Sequence, residues 1–295
     1  MSVQVASSLD EALAQLAAAP SAIVLAGGTD LMVEFNGGHR RTDAVVCVNR
    51  VAELRTWRHD PVSGTLRIGA AVTYAELGTE PLASLAPALA QAARTVGSPQ
   101  IRNAATIGGN VGTASPAGDG LPVLAALDAV VHLASAADGT RDVPFVSFAT
   151  GPKRTVLRPG ELITGVTVAV LDGFQGYRKV GVRNAMVIAT ASACLAVHVP
   201  ARSVRIALGS VGPVILRSAE AESIAETEVD WETGAVSPDV VARFAAAAAA
   251  TARPIDDHRS SAAYRRRAIE VLAGRLLTRA FAGGASDGNG EAASA

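Results

Sequence analysis

Two glycine-rich segments of the chain carry residue types suited to holding phosphate groups. The first is residues 25–31, Leu-Ala-Gly-Gly-Thr-Asp-Leu, which follows a short apolar stretch. Glycines let a backbone approach a ligand closely and point consecutive N–H groups at one place, and the first turn of a following helix adds partial positive charge. Because the G-x-G-x-x-G spacing of dinucleotide-binding loops is absent, this segment alone is more typical of a plain tight turn.

The second segment repeats this chemistry further along the chain. Residues 106–110 read Thr-Ile-Gly-Gly-Asn, so that paired glycines are again flanked by a hydroxyl and an amide, and Asp119 follows after more small residues. An acidic side chain at a nucleotide site can accept hydrogen bonds from a ribose. Two such segments in one chain favour a diphosphate held between them. Neither segment contains a histidine or cysteine, so no covalent attachment of a ligand is predicted.

The first glycine segment belongs to a small α/β unit, which we predict over residues 1–55. A capping-box pattern at Ser8 predicts a short helix that ends before Pro20. Apolar stretches at residues 23–25 and 44–48 predict two short strands.

The second glycine segment belongs to a larger unit, which we predict over residues 56–172. Residues 97–120 form a long polar stretch with no predicted helix or strand. Because apolar residues punctuate it, we expect this stretch to be an ordered, functional loop. The elements predicted around it are strands at 66–68, 129–133, 143–146 and 162–170, and helices at 82–94 and 122–127.

A third region, residues 173–282, has a different pattern and is predicted as a separate domain. Its tail, residues 283–295, is rich in Gly, Ala and Ser and is predicted to be disordered. The elements predicted within the domain are three antiparallel strands at 174–180, 189–199 and 204–208, and two helices at 238–252 and 260–280.

The composition excludes several classes of protein. The chain has 26 basic and 27 acidic residues and a net charge of −1, without a basic stripe for nucleic acid or an anionic membrane. No apolar run reaches the roughly 20 residues of a membrane span, and no signal-peptide pattern is evident. Cys47 and Cys194 each stand alone in apolar runs, which is typical of buried thiols in a reducing compartment. We therefore expect a cytoplasmic protein.

The other polar residues give weaker signals. The five histidines are scattered without evident acidic or metal-binding partners, so we interpret them as surface or core residues and predict no metal site. Three consecutive arginines, Arg265 to Arg267, are interpreted as a solvated helix face or a contact to a partner. Lys179 is of interest because it is one of only two lysines in the chain, with Lys153.

Taken in order, the motifs resemble a known family. Residues 26–31 (Ala-Gly-Gly-Thr-Asp-Leu), 105–110 (Ala-Thr-Ile-Gly-Gly-Asn) and 114–119 (Ala-Ser-Pro-x-x-Asp) closely resemble the FAD-binding medium subunits of the xanthine dehydrogenase and aerobic carbon monoxide dehydrogenase family of molybdenum hydroxylases. The resemblance continues through Pro-Gly-Glu-Leu-Ile at 159–163 and Tyr-Arg-Lys-Val at 177–180. It covers about residues 1 to 280.

The resemblance implies an α+β fold. A two-subdomain FAD-binding fold of the vanillyl-alcohol-oxidase/PCMH type would span residues 1–55 and 56–172. A C-terminal domain, residues 173–282, would follow with a three-stranded antiparallel sheet and a helical bundle. Non-covalent FAD would lie between the two FAD-binding subdomains.

The resemblance also implies roles for individual residues. Asp119 would bind the polar middle of the cofactor, and Ile163 would contact it near the adenine. Lys179 would place a positive charge near the flavin ring, where it stabilises the reduced flavin, and Ile188 would lie against the ring. Val96 stands where some relatives have an aromatic residue. The predicted cofactor-binding residues are Leu25, Ala26, Gly27, Gly28, Thr29, Asp30, Leu31, Met32, Val96, Thr106, Ile107, Gly108, Gly109, Asn110, Asp119, Ile163, Lys179 and Ile188.

The function implied by the resemblance is an electron relay without catalytic residues of its own. Molybdopterin and 2Fe-2S clusters would be held by a large molybdenum subunit and a small iron–sulfur subunit, in a dimer of heterotrimers. The loop after Lys179 lacks the acids of NAD-using relatives, which favours another electron acceptor. Two alternatives stay open, a stand-alone flavin reductase and an assembly module without a cofactor.

Overall fold

The first β-sheet is built from short parallel strands near the N-terminus. The computed structural model describes residues 1–282, so the tail predicted to be disordered lies outside the described residues. The strand order is β1-β3-β2, and every pair is parallel. Its elements are β1 (Ser2–Val5), α1 (Leu9–Ala18), β2 (Ile23–Leu25), α2 (Leu31–Asn36) and β3 (Ala44–Cys47).

The second sheet is antiparallel, with strand order β4-β5-β10-β6-β7, and it follows a single helical turn at Ala52–Arg55. Six short helices separate its second and third strands along the chain. The elements are β4 (Trp57–Asp60), β5 (Thr65–Gly69), α3 (Tyr74–Leu77), α4 (Leu82–Leu85), α5 (Pro87–Thr95), α6 (Pro99–Ala104), α7 (Ile107–Thr113), α8 (Leu121–Ala126), β6 (Val130–Ser135), β7 (Gly139–Pro144), β8 (Ala149–Gly151), β9 (Arg154–Thr155) and β10 (Leu162–Ala169). Two of the strands in this region, β8 and β9, form a small antiparallel sheet of their own.

One hydrophobic core joins the first two sheets. Alternate residues of the second sheet, such as Ile68, Leu133 and Val166, are almost fully buried because side chains of a strand alternate between its two faces. Leu16 of α1 and Val46 of β3 belong to the same core. The two glycine segments are therefore carried by elements that pack on one another.

The stretch at residues 97–120 is ordered, as expected, but the prediction of a loop was wrong. It contains α6 and α7, and each begins with a capping side chain. The Ser98 hydroxyl accepts a hydrogen bond from Ile101 N at 3.3 Å, and the Thr106 hydroxyl accepts one from Gly109 N at 3.0 Å. These caps stabilise helical turns that the glycine content of the stretch concealed.

The third sheet has the strand order β11-β12-β13-β14 and is antiparallel throughout. The three predicted strands are present, and the two-residue strand β14 extends the sheet at one edge. The helical layer has three members, because α9 joins the two predicted helices. The elements are β11 (Gln175–Val180), β12 (Ala191–His198), β13 (Ser203–Gly209), β14 (Leu216–Arg217), α9 (Ala219–Glu228), α10 (Pro238–Thr251) and α11 (Ala262–Ala280).

The three helices bury one face of the third sheet in a second hydrophobic core. Leu195 and Ile206 of the sheet pack in this core with Phe244 of α10 and Ile269 of α11, all fully buried. The predicted α+β class is confirmed, and so is the order of a two-part N-terminal region and a C-terminal domain. The predicted domain boundaries stay predictions. Within residues 1–282, no helix has both the length and the apolar character needed to cross a membrane.

One histidine has partners that sequence reasoning missed. His132 of β6 bonds through Nδ1 to Asp142 Oδ1 of β7 at 2.6 Å, and through Nε2 to Thr167 Oγ1 of β10 at 2.7 Å. The interpretation of His132 as a residue without an acidic partner was wrong. The partners come from neighbouring strands, and strand pairing is not visible in a list of residues. His132 links three strands of the second sheet.

Candidate functional site

The two glycine segments meet in the structure. A Cβ atom built on Gly27 would lie 1.8 Å from the carbonyl oxygen of Ala104 and 3.1 Å from Ala105 N. Any side chain at residue 27 would therefore collide with the backbone that leads into the second segment. Glycine permits this close approach of two chain segments, and the predicted halves of the site lie side by side.

The first segment presents a run of free backbone donors. The N–H groups of Gly27, Gly28, Thr29 and Asp30 donate to no acceptor within residues 1–282. Gly28 has a φ of +71°, a left-handed conformation that glycine adopts without strain, and its carbonyl accepts from Met32 N at 3.0 Å. Successive free N–H groups at such a turn form a concave site for an anion.

The second segment contains one packed glycine and one open glycine. A Cβ on Gly108 would lie 2.5 Å from the Cβ of Ala70 and 2.7 Å from its carbonyl oxygen. A Cβ on Gly109 would meet only Thr106 Oγ1, at 3.0 Å, and Gly109 is exposed. Gly108 is therefore required by packing inside the chain, whereas the surface at Gly109 is available to a ligand.

A buried tyrosine connects the second segment to Asp119. The Tyr74 hydroxyl donates to Asn110 Oδ1 at 2.7 Å, and a Cβ on Gly120 would lie 2.3 Å from the same hydroxyl. Burial raises the pKa of Tyr74 far above its ordinary value, and the charges of Asp119 and Asp30 raise it further. The hydroxyl therefore stays protonated. One acid from each segment, Asp30 and Asp119, contributes to the raised pKa.

Asp119 and Lys179 form an ion pair with only 9% of each side chain exposed. Lys179 Nζ donates to Asp119 Oδ2 at 2.7 Å, and the Tyr177 hydroxyl donates to Asp119 Oδ1 at 2.7 Å. Both carboxylate oxygens are thus held by donors of β11. Asp119 and Lys179, which the sequence placed near different parts of a cofactor, belong to one network.

Burial dominates the acid–base behaviour of this network. It raises the pKa of the Asp119 carboxyl above its ordinary value, and the Lys179 ammonium and the Tyr177 hydroxyl act in the opposite direction. The pKa of Tyr177 is raised well above its ordinary value, first by burial and then by the nearby carboxylate. The tyrosine consequently remains a hydrogen-bond donor at any physiological pH.

Lys179 also fixes the loop that follows it. Its Nζ donates to the carbonyl oxygens of Thr95 at 2.9 Å and Val187 at 3.1 Å. The loop ends where Thr190 N donates to Val180 O at 2.7 Å. One ammonium therefore holds the end of α5, Asp119 and the loop at residues 181–189 together.

The loop at residues 181–189 turns an apolar surface outward. Val182, Met186 and Ile188 are 66%, 56% and 59% exposed. Arg183 is folded back, with Nε donating to Ala185 O at 3.0 Å and Nη2 to Met186 O at 2.6 Å. The loop thus offers apolar side chains while its one guanidinium is used internally.

Two further predicted site residues, Val96 and Ile163, border different parts of the site. The Val96 carbonyl accepts a hydrogen bond from Arg102 Nη1 at 3.1 Å, directly after Thr95. Ile163 is 7% exposed on β10, and its Cδ1 lies 3.3 Å from where a Cβ on Gly112 would be. Ile163 therefore borders α7, and Val96 borders the carbonyl that holds Lys179.

Comparisons with known proteins identify the family of this chain. A family model described as the FAD binding domain in molybdopterin dehydrogenase matches residues 1–170. The chain belongs to the FAD-binding subunits of the molybdenum hydroxylase family. A second model, described as the carbon monoxide dehydrogenase flavoprotein C-terminal domain, matches residues 176–280 of this FAD-binding subunit.

Individual relatives cover nearly the whole FAD-binding subunit. The glyceraldehyde dehydrogenase medium chain of Sulfolobus acidocaldarius is 34% identical over 271 residues, which is 90% of this chain and 93% of that one. A putative xanthine dehydrogenase FAD-binding subunit of Escherichia coli is 30% identical over 288 residues, 94% of each chain. The subunit is thus an oxidoreductase component similar to several dehydrogenases.

Solved structures share the fold of this FAD-binding subunit. Carbon monoxide dehydrogenase from Hydrogenophaga pseudoflava, in a form that lacks the molybdenum-pyranopterin moiety, matches with a TM-score of 0.86 and 28% identity. The match covers 96% of this chain and 97% of that one.

Two contributors to the site were not predicted from the sequence. Tyr177 and Tyr74 are buried hydroxyl donors behind Asp119 and Asn110. Gln91 of α5 accepts from Tyr177 N at 2.9 Å. Tyr177 stands two residues before Lys179, on the same face of a strand, and that spacing was the available signal. Within residues 1–282, no group of His, Cys, Asp or Glu is arranged to hold a metal ion.

Proposed function

We propose that this subunit holds FAD non-covalently between residues 25–32 and residues 106–119. The observation that carries the proposal is the run of free N–H groups at residues 27–30, which suits the cofactor's diphosphate. Open space at Gly109 lies on the neighbouring segment. The residues present therefore fit the cofactor of the family, and the predicted roles of the individual site residues remain part of this proposal.

The chain's own residues would bind and orient the cofactor. The first segment supplies backbone donors for the diphosphate, and Lys179 supplies a fixed positive charge that favours the reduced flavin. Asp119, itself held by the Tyr177 hydroxyl, accepts a hydrogen bond from the ammonium of Lys179 and keeps it in place. Ile188 supplies an exposed apolar surface suited to a flat ring. FAD, when bound, supplies the chemistry that converts one-electron into two-electron transfer.

The proposed activity is an electron relay within a larger complex. Electrons would come from 2Fe-2S clusters on a small partner subunit and, before that, from molybdopterin on a large one. The complex would be a dimer of heterotrimers in the cytoplasm. A relative from Escherichia coli is itself described as an FAD-binding subunit, and one from Sulfolobus acidocaldarius as a medium chain, which supports a place in a multi-subunit complex.

The first test concerns the cofactor. We expect the purified complex to show flavin absorbance and to release all of its flavin on acid denaturation. Cys47 lies opposite Leu25 in the first sheet, but its buried thiol donates to Asn49 Oδ1 at 3.3 Å, which argues against a covalent bond. A complex without flavin would contradict the proposed function. Flavin that stays on the wild-type chain after denaturation, but is released from Cys47→Ser, would contradict only the proposal that FAD is held non-covalently.

The second test concerns the electron acceptor, which we propose is not NAD. Arg183 could have met a dinucleotide phosphate, but its guanidinium donates to carbonyls of its own loop. The exposed Met186 and Ile188 favour an apolar or protein acceptor. We expect steady-state turnover of the complex to reduce an artificial dye with negligible NADH formation. NADH formation at the rate of dye reduction would overturn this proposal.

A further inference from the structure

Arg265 is buried, although it belongs to a run of three arginines that looks like a solvated helix face. It is 2% exposed, whereas its neighbours Arg266 and Arg267 are exposed. A buried charge is costly unless it is paired and hydrogen-bonded. Arg265 Nη2 donates to Asp257 Oδ1 at 2.6 Å, which supplies the countercharge. The interpretation of Arg265 as solvated was therefore wrong.

The other contacts of Arg265 lead toward the cofactor site. Its Nη1 donates to Thr190 O at 3.0 Å and to Ser210 O at 2.9 Å. Thr190 N donates to Val180 O at 2.7 Å, the bond that closes the loop at residues 181–189. Arg265 thus holds the end of the loop that carries Ile188.

A second branch reaches the segment before Asp119. Ser210 N donates to Pro116 O at 2.8 Å, three residues before Asp119 in the chain. Ser210 has a φ of +61°, a left-handed conformation that a serine rarely adopts and that its surroundings must maintain. The Arg265 guanidinium, which donates to the Ser210 carbonyl, is one of the groups that maintain this conformation. One side chain of α11 therefore fastens two segments that border the cofactor site.

We propose that Arg265 is a positioning residue for the FAD site. By fixing Thr190 and Ser210 together, it sets the spacing between the loop at residues 181–189 and the segment at residues 114–119. Lys179 and Asp119 approach each other from these two sides, so their pairing depends on that spacing. The inference rests on the proposed binding of FAD and adds a residue that never contacts the cofactor.

The test uses Arg265→Met in the full chain, with FAD titrated into the flavin-free protein and followed by flavin fluorescence. We expect the Kd for FAD to rise at least about tenfold, the lower end of the effect that removing the partners of ligating residues has at metal sites. Arg265→Lys, which keeps the charge but has fewer donors, should give an intermediate Kd. Amide hydrogen exchange of residues 181–189 should accelerate in flavin-free Arg265→Met.

Two control variants separate positioning from stability. Arg259 also pairs with Asp257, at 2.7 Å, so Arg259→Gln should keep the wild-type Kd. Phe244→Leu should lower the Tm by making a cavity in the same domain, without changing the Kd.

The outcomes distinguish the two proposals. An Arg265→Met chain with a lowered Tm and an unchanged Kd would overturn the positioning role. If Arg265→Met does not fold, Arg265→Lys takes its place, and a Kd for FAD equal to that of the wild type would then overturn the positioning role. A wild-type chain that binds no FAD would overturn the proposed function itself.

Discussion

Gly109→Val is expected to abolish FAD binding while the chain still folds. Gly109 lies in the first turn of α7, is exposed, and its added Cβ would meet only Thr106 Oγ1. Valine has a somewhat higher helix propensity than glycine, but its branched side chain would fill the space proposed for the cofactor. We expect the Kd for FAD to rise at least about a hundredfold, which corresponds to roughly 2.8 kcal/mol. Fluorescence titration of the flavin-free chain measures it.

Two matched glycine variants give this experiment its controls. Gly109→Ala adds one methyl group, which requires only a small shift of the Thr106 hydroxyl, so the Kd should change less than in Gly109→Val. Gly108→Ala would force a methyl group against the backbone of Ala70, which we expect to cost about 1–3 kcal/mol of folding stability. Full flavin occupancy in Gly109→Val would show that the cofactor does not lie against this segment.

Lys179→Met is expected to destabilise the flavin-free chain by about 3–5 kcal/mol near neutral pH, because it leaves the buried Asp119 without its countercharge. Urea denaturation followed by circular dichroism measures the loss. Lys153→Met is the matched control, since the Lys153 side chain is 60% exposed and pairs with Glu34 at the surface. It should cost less than about 1 kcal/mol.

The destabilisation by Lys179→Met should depend on pH in a defined direction. Burial already raises the pKa of Asp119, and removing the ammonium raises it further. When the pKa of a carboxyl is higher in the folded chain than its ordinary value, the carboxyl costs no folding stability at a pH below that ordinary value. The loss of folding stability grows as the pH rises above that value, and it reaches its full size above the pKa of the folded state. The variant should therefore be closer to wild type at about pH 4.5 than at about pH 7.5.

A double variant isolates the charge as the cause. Lys179→Met combined with Asp119→Asn removes both charges and should recover much of the lost stability, as replacement of buried ion pairs by neutral groups often does. A pH-independent loss in the single variant would instead show that packing of the lysine stem, and not the unpaired carboxylate, is responsible.

Many of the helices and strands could be predicted from patterns among neighbouring residues. The Ser8 cap placed α1 and the apolar stretches placed β2 and β3, because these elements follow from side chains within a few residues of each other. The edge strand β1 was missed, since its four residues are all exposed and show no buried face. In so short a segment, pairing with β3 decides whether a strand forms more than the β-propensity of its own residues does.

The parts of the site that depend on tertiary contacts could not be predicted. The residues of the site's ion pair, Asp119 and Lys179, were each singled out in the sequence and given a role by resemblance, but their pairing arises from elements 60 residues apart in sequence. Arg265 was misread because a run of arginines carries no information about which one points inward. The helix predicted at 82–94 is two helices, because Pro87 begins the second.

The contact of Gly27 with Ala104 and the pairing of Asp119 with Lys179 set an order of events during synthesis. The first contact joins the sheet of β1 to β3 with the helices of the second sheet, and the second adds β11 of the third. Ribosomes extend a chain at about 5–20 residues per second, and N-terminal units fold first. Because the first two sheets share one hydrophobic core, they form one folding unit, which is complete only after β10 has been made. At the proposed site, FAD could be enclosed only after β11 has emerged from the ribosome, so flavin loading would come late in synthesis.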